Sequence, residues 1–136
     1  MDFLKSIAIA ASGLKAQAGR MRVISENIAN ADSTAQRPGG DPYRRKMATF
    51  TAEVDRSLEA NVVGLGRIQP DRSAFRTKHE PGHPAADPTG YVKYPNVDPL
   101  VEMTDMRDAQ RSYEANLNVI GATRRMIQRT LAILSG

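Results

Sequence analysis

The chain has 136 residues, enough for one domain with its own core, but only three Phe, four Tyr and no Trp are present to fill it. Apolar residues at 40% and charged residues at 25% exclude wholesale disorder. The net charge of +4 is thinly spread: residues 1–30 and 31–97 each carry +2 and residues 98–136 carry none, so there is no basic stripe of the kind that grips nucleic acid.

The absence of cysteine excludes disulfides, thiolate metal sites and cysteine nucleophiles. Near the N-terminus, Ala8-Ile9-Ala10 has the small-residue character of a cleavage site. The apolar run before it is short, however, and Asp2 sits where a signal peptide carries positive charge. No segment approaches the roughly 18 apolar residues of a membrane span. The expectation is a soluble chain with no cleaved signal peptide and no direct membrane insertion.

All eight prolines lie between Pro38 and Pro99. Proline removes a helix donor and clashes with the preceding turn, so this distribution divides the chain into three parts. Residues 1–30 show an apolar 3,4 rhythm at Leu4, Ile7, Ala11, Leu14, Ala18, Met21, Ser25 and Ile28, which is the coiled-coil repeat. Gly13 and Gly19 each weaken that helix by about 1 kcal/mol relative to Ala. The run Asn27–Ser33 ends it, with Asn30 suited to a left-handed cap.

Residues 31–97 form a loop-rich middle. Short strands are expected at Tyr43–Phe50, Gly66–Gln69, Ala74–Thr77 and Gly90–Tyr94, separated by Pro- and Gly-rich turns. Residues 53–60 fit either a strand or a helical turn. Residues 98–136 repeat the 3,4 rhythm at Met103, Met106, Gln110, Tyr113, Leu117, Ile120, Arg124, Ile127, Leu131 and Leu134. Asp98 and Pro99 are a suitable N-cap and first helical residue. Asp98, Glu102, Asp105 and Asp108 crowd the positive end of the helix dipole, and Arg124, Arg125 and Arg129 lie toward the negative end. A second stripe, Val119, Ala122, Met126 and Ile133, widens the apolar arc and calls for more than one neighbour. The expected fold is mainly α: long N- and C-terminal helices forming an antiparallel coiled coil, with a small β middle. Residues 1–30 and 98–136 together form one helical domain.

No site chemistry emerges. His79 and His83 are four apart, but Pro81 and Gly82 prevent a helix from aligning them on a metal. Gly64-Leu-Gly66 starts a dinucleotide fingerprint whose third glycine position is Gln69. Arg44-Arg45-Lys46 reads as a solvated strand end beside Asp41 rather than a phosphate patch. Neither catalytic residues, metal nor cofactor are expected. Spacing alone leaves two arrangements open, helices packing between molecules and a self-contained helical domain. A basic helical binding module, nucleoid-associated or chaperone-like, is the competing class.

The segment Ser12-Gly-Leu-Lys-Ala-Gln17, followed by Asn27-Ile-Ala-Asn-Ala-Asp-Ser33, resembles the N-terminal signature of the flagellar axial rod and hook family. Where many members continue with Thr-Pro-Gly-Tyr, this chain has the longer turn Pro38–Tyr43, which is similar to the proximal-rod branch. Pro81-Gly-His-Pro84, Tyr91, Pro95-Asn-Val97, Met103–Met106 and Arg111–Asn116 carry the same likeness. The family-motif positions are Asn27, Ala29, Asn30, Asp32, Pro81, Gly82, His83, Pro84, Tyr91, Pro95 and Asn96.

The resemblance implies a structural subunit of the bacterial flagellar basal body. Such subunits pass unfolded through the flagellar type III export apparatus. They assemble with themselves, other rod proteins and the base-adaptor protein into a helical tube crossing the periplasm. The tube transmits torque for motility and carries exported subunits. The expected assembly interface comprises Leu4, Ile7, Leu14, Met21, Ile28, Met106, Tyr113, Leu117, Ile120, Ile127, Leu131 and Leu134.

Overall fold

The computed structural model describes residues 2–136. Helix α1 covers Phe3–Ala29 and helix α2 covers Pro99–Ser135. Between them lie β1 (Lys46–Met47), β2 (Phe50–Asp55), β3 (Ala60–Leu65), β4 (Gln69–Pro70), β5 (Arg76–His79) and β6 (Tyr91–Tyr94). They pair as three two-stranded antiparallel sheets: β1 with β4, β2 with β3, and β5 with β6. Two terminal helices around a small β middle are thus what the chain forms.

The helix ends follow local chemistry. Asp2 accepts the Lys5 N–H at 3.0 Å, capping the first turn of α1. Asp98 accepts the Leu100 N–H at 3.0 Å, and Pro99 opens α2 as expected. The end of α1 differs from expectation. Among the described residues, Glu59 is the only non-glycine with positive φ, so Asn30 is not a left-handed cap. Its side chain does the work instead: the amide donates to the Glu26 carbonyl at 2.9 Å, and Oδ1 accepts the Ser33 hydroxyl at 3.1 Å.

The strands depart from expectation in several places. The segment expected at Gly66–Gln69 pairs only at Gln69, in a strand that runs on to Pro70, and the one expected at Ala74–Thr77 is displaced to Arg76–His79. The segment expected from Tyr43 to Phe50 pairs as a strand only at Lys46–Met47, because side chains capture the backbone around Arg45 and Lys46. Residues 53–60 resolve into the end of β2 and a turn. In that turn Asp55 accepts the Ser57 and Leu58 N–H groups, and Glu59 takes φ 49°. Strand β3 falls outside the expected strands; it pairs along its whole length with β2.

The chain divides into two compact units. One comprises the part of α1 up to Met21, Thr49–Arg67 and Arg107–Gly136. Its buried side chains are small: Ala10, Ala16, Ala109 and Thr123. Small residues permit close approach. A Cβ at Gly13 would lie 2.7 Å from the Asn116 amide nitrogen, and one at Gly19 would lie 2.6 Å from a Leu65 methyl. The Val63 N–H on β3 donates to the Ser12 hydroxyl of α1 at 3.2 Å.

The other unit comprises Arg22–Ala48 and Ile68–Met106. It buries Val23, Ile24, Asn27, Ala31, Val97 and Glu102, with a cluster of Ala85, Val92 and Tyr94 packed by Ala35 and Ala86. Larger apolar groups are enclosed here than in the first unit, and a charged group is enclosed with them.

Candidate functional site

The most enclosed polar site belongs to the second unit. Asn27 is buried and uses its whole amide. Its nitrogen donates to the Lys46 carbonyl at 2.8 Å and to Glu102 at 3.2 Å. Its oxygen accepts the Lys46 N–H at 3.0 Å and the Tyr43 hydroxyl at 2.7 Å. A primary amide has two donor hydrogens and two acceptor lone pairs, and all four are engaged.

Glu102 is fully buried. An unpaired carboxylate in such a place would be very costly, but Arg45 Nε donates to its second oxygen. The Arg45 guanidinium also donates to Asp71 at 3.1 Å and lies 3.6 Å from Asp105. Burial acts to lower the Arg45 pKa, but its bonds and charge contacts with Glu102 and Asp71 outweigh burial and raise it. Tyr43 is raised by burial first, and then by the nearby carboxylates of Glu26 and Glu102.

Asn96 approaches the same backbone from another direction. Its oxygen accepts the Arg45 N–H at 2.8 Å, while its nitrogen reaches the carbonyls of Asp71 and Ser73 at 2.9 and 3.2 Å. The Asp71 N–H closes the set by donating to the Arg45 carbonyl at 2.8 Å. Arg44 donates to the Asp71 and Ser73 carbonyls and lies 4.1 Å over the Phe75 ring. Arg44 and Arg45 are therefore not a solvated strand end. Lys46 alone is exposed, opposite Glu26 at 3.4 Å.

The remaining family-motif positions have smaller tasks. Asp32 is exposed, 3.8 Å from Arg76, whose guanidinium also bonds the carbonyls of Ala31 and Pro95. Pro95 is buried, while Ala29, Pro81, Gly82 and Pro84 are exposed. His83 accepts the Ala85 N–H on Nδ1 at 3.0 Å, which occupies that lone pair. His79 instead meets Tyr91 edge to face at 4.9 Å. No group of three or more His, Cys, Asp or Glu is placed to hold a metal among the described residues. No helix among them is long and apolar enough to cross a membrane.

The expected interface residues are only partly drawn into the chain's own packing. In α1, Ile7, Leu14, Met21 and Ile28 are half-buried and Leu4 is exposed, while Ala10, Ala16, Val23, Ile24 and Asn27 take the buried positions. In α2 the most covered line is Glu102, Met106, Ala109, Tyr113, Asn116, Ile120, Thr123 and Ile127. It keeps the 3,4 rhythm but replaces every second expected member with the residue just before it. Met103, Gln110, Leu117 and Arg124 are exposed, as are Leu131 and Leu134 further along. Hydrophobicity favours Met103 and Leu117, but the positions that are covered hold a paired carboxylate and small or hydrogen-bonded residues.

Residues 7–35 match the family described as Flagella basal body rod protein. Residues 89–133 match the family described as Flagellar basal body rod FlgEFG protein C-terminal. Together they take in most of both helices, Asn27, Asn96 and Glu102, and they place the chain in the class of flagellar basal-body rod proteins. Over 135 residues the chain is 51% identical to the flagellar basal-body rod protein FlgC of Agrobacterium fabrum, covering 98% of this chain and 97% of that protein. It is 40% identical to the FlgC of Borreliella burgdorferi, with 100% of both covered, and 38% identical to that of Salmonella typhimurium, with 98% of both covered. The chain belongs to the FlgC family and is a structural rod subunit of the flagellum.

Proposed function

We propose that this rod subunit assembles through its two helices, with copies of itself, other rod proteins and the base-adaptor protein, into a helical tube across the periplasm. In that tube the segments 1–30 and 98–136 pair as an antiparallel coiled coil and act as one helical domain, with 31–97 as the loop-rich middle. The tube transmits torque and lets exported subunits pass. The subunit itself arrives through the flagellar type III export apparatus. It binds neither nucleic acid nor cofactor, inserts into no membrane and catalyses no reaction.

The observation that carries this reading is the apolar surface left on the helices. Leu4 is 74% exposed, Leu131 59% and Leu134 78%. Leu117, Val119 and Met126 are also exposed. A run of this length marks a protein–protein contact. The pairing of the helices is supported by contacts within each unit: Gly13 lies against Asn116 in one, and Asn27 bonds Glu102 in the other.

The test is Leu131→Asp. Leu131 touches little of its own chain, so the isolated subunit should keep its stability to within about 0.5 kcal/mol. A carboxylate buried by a neighbour is costly, so the variant should be exported yet missing from purified rods, and the cells non-motile. The control Gln128→Asp should be silent. Normal rods built from Leu131→Asp subunits would sink the proposed interface.

A further inference from the structure

Two apolar surfaces of the first unit face solvent, and they carry opposite charge. In the β2–β3 register Phe50 stands opposite Leu65, Ala52 opposite Val63 and Val54 opposite Asn61. Directly opposed residues point the same way, so Phe50, Val54, Val63 and Leu65 share one face of the hairpin. Leu65 leans on α1 at Gly19, but Phe50, Val54 and Val63 remain exposed, Val54 to 69%. The hairpin is acidic, with Glu53, Asp55 and Glu59 against Arg56. Glu53 and Glu59 make no ion pair among the described residues.

The second surface is on α2. Val119, Met126 and Ile133 recur every seven residues and lie along one line of the helix, all exposed, with Ile133 at 79%. Arg129 borders this line, three residues after Met126 and four before Ile133, and Arg125 sits one turn before Arg129. Both are exposed, and residues 115–136 contain no Asp or Glu to balance them. The chain's own hairpin leaves this line uncovered.

We propose that the β2–β3 hairpin of one copy docks along the Val119–Met126–Ile133 line of a second copy of this chain. The inference rests on the rod-assembly reading above and names the surfaces that perform it. Three features select a second copy as the occupant. The charges are complementary: residues 50–65 carry a net −2 from three carboxylates and one Arg, and residues 115–136 a net +3 from three Arg. The lengths agree: six strand residues extend about 20 Å at 3.3 Å each, and Val119 to Ile133 is about 21 Å at 1.5 Å per residue. Both surfaces are present on every molecule and differ from each other, so each copy offers one to the copy before it and the other to the copy after. Such a contact propagates instead of closing, as a helical assembly requires.

The chain has no cysteine, so cross-linking can be directed. Val54→Cys and Met126→Cys are made in separate copies and expressed, singly and together, in cells lacking the native chain. Motility of the single-variant cells reports that rods form. Oxidised rods from the co-expressing cells should yield a disulfide-linked pair of subunits that neither variant gives alone. Motile cells without that pair, a pair formed by one variant alone, or position 54 captured by a different rod protein would each overturn the proposal. If a cysteine variant fails to enter rods, charge exchange decides. Arg125→Glu with Arg129→Glu should lower incorporation by about tenfold or more, and Glu53→Lys with Glu59→Lys in the same chain should restore it. No restoration refutes the docking. Absence of the native chain itself from purified rods would instead refute the assembly reading.

Discussion

The side chain of Asn27 pairs with the backbone of Lys46 as a strand neighbour would: Nδ2 donates to the Lys46 carbonyl at 2.8 Å, and Oδ1 accepts the Lys46 N–H at 3.0 Å. One residue thus ties the end of α1 to β1 without a continuous sheet. Asn27→Ala leaves the Glu102 carboxylate short of a donor and strips the Lys46 backbone of both partners. The expected loss is about 2–4 kcal/mol in urea unfolding, since each buried polar group left unsatisfied costs about 1–3 kcal/mol. Asn27→Asp should be worse, because it sets a second carboxylate beside Glu102. An Asp variant as stable as the Ala variant would show that a second carboxylate beside Glu102 costs nothing.

The Arg45–Glu102 pair should be strongly non-additive. Removing one partner of a buried ion pair costs about 3–5 kcal/mol, mostly from the charge left behind. Arg45→Met strands Glu102, and Glu102→Leu leaves Arg45 to Asp71 and Asp105. The double variant Arg45→Met/Glu102→Leu should recover much of the loss, read as a coupling energy in a double-mutant cycle. Simple additivity would mean that Glu102 is not held as an ion.

Acid sensitivity should run through Asp71. The N–H and hydroxyl of Ser73, and then the Arg45 guanidinium, hold its carboxyl below the usual range. A group depressed in the folded state contributes stability above its unfolded value and loses it as pH falls through the folded one. Asp71→Asn should therefore cost stability near neutrality, and its deficit against the native chain should shrink as pH falls below about 4. A deficit that stays constant down to about pH 2 would remove Asp71 from the acid limb.

At Gly13, helix propensity and packing pull in opposite directions. Alanine should favour an isolated helix by about 1 kcal/mol. Its Cβ, however, would lie 2.7 Å from the Asn116 amide, which must turn away from the Ser112 carbonyl it bonds at 3.0 Å. Gly13→Ala should therefore lower the thermal midpoint of the native chain, followed by circular dichroism, and raise it in an Asn116→Ala background. The same sign in both backgrounds would separate the two residues.

The features legible in the sequence were those set by neighbours in sequence. The proline-free ends, the Asp98-Pro99 start and the Tyr91–Tyr94 strand could be read directly, because caps, breakers and short-range periodicity act within a few residues. The phase of α2 was not legible. Met103 and Leu117 outrank Glu102 and Asn116 on any hydrophobic scale, yet Glu102 is buried because Arg45, 57 residues away in sequence, brings the opposite charge to it. Asn27 stands out as a motif residue, but its partners at Tyr43, Lys46 and Glu102 cannot be inferred from the motif. Arg45 reads as one of three adjacent cations, and only folding distinguishes it from Lys46.

Tyr113, Ile120 and Ile127 belong to the covered line in α2 but lie on the border between packing and solvent, each with part of its side chain against its own chain and part in solvent. This border position has a genetic consequence. A change at Ala109 or Thr123, which are enclosed, alters a single chain and is open to repair from within that chain. A change at Ile133, which is almost bare, alters what a neighbour meets and is open to repair from the neighbour. A change at Ile120 does both at once, so a single second-site revertant restores only half of what was lost. Suppressors of Ile120 variants should accordingly arise as pairs, one in the same subunit and one in whatever packs on it.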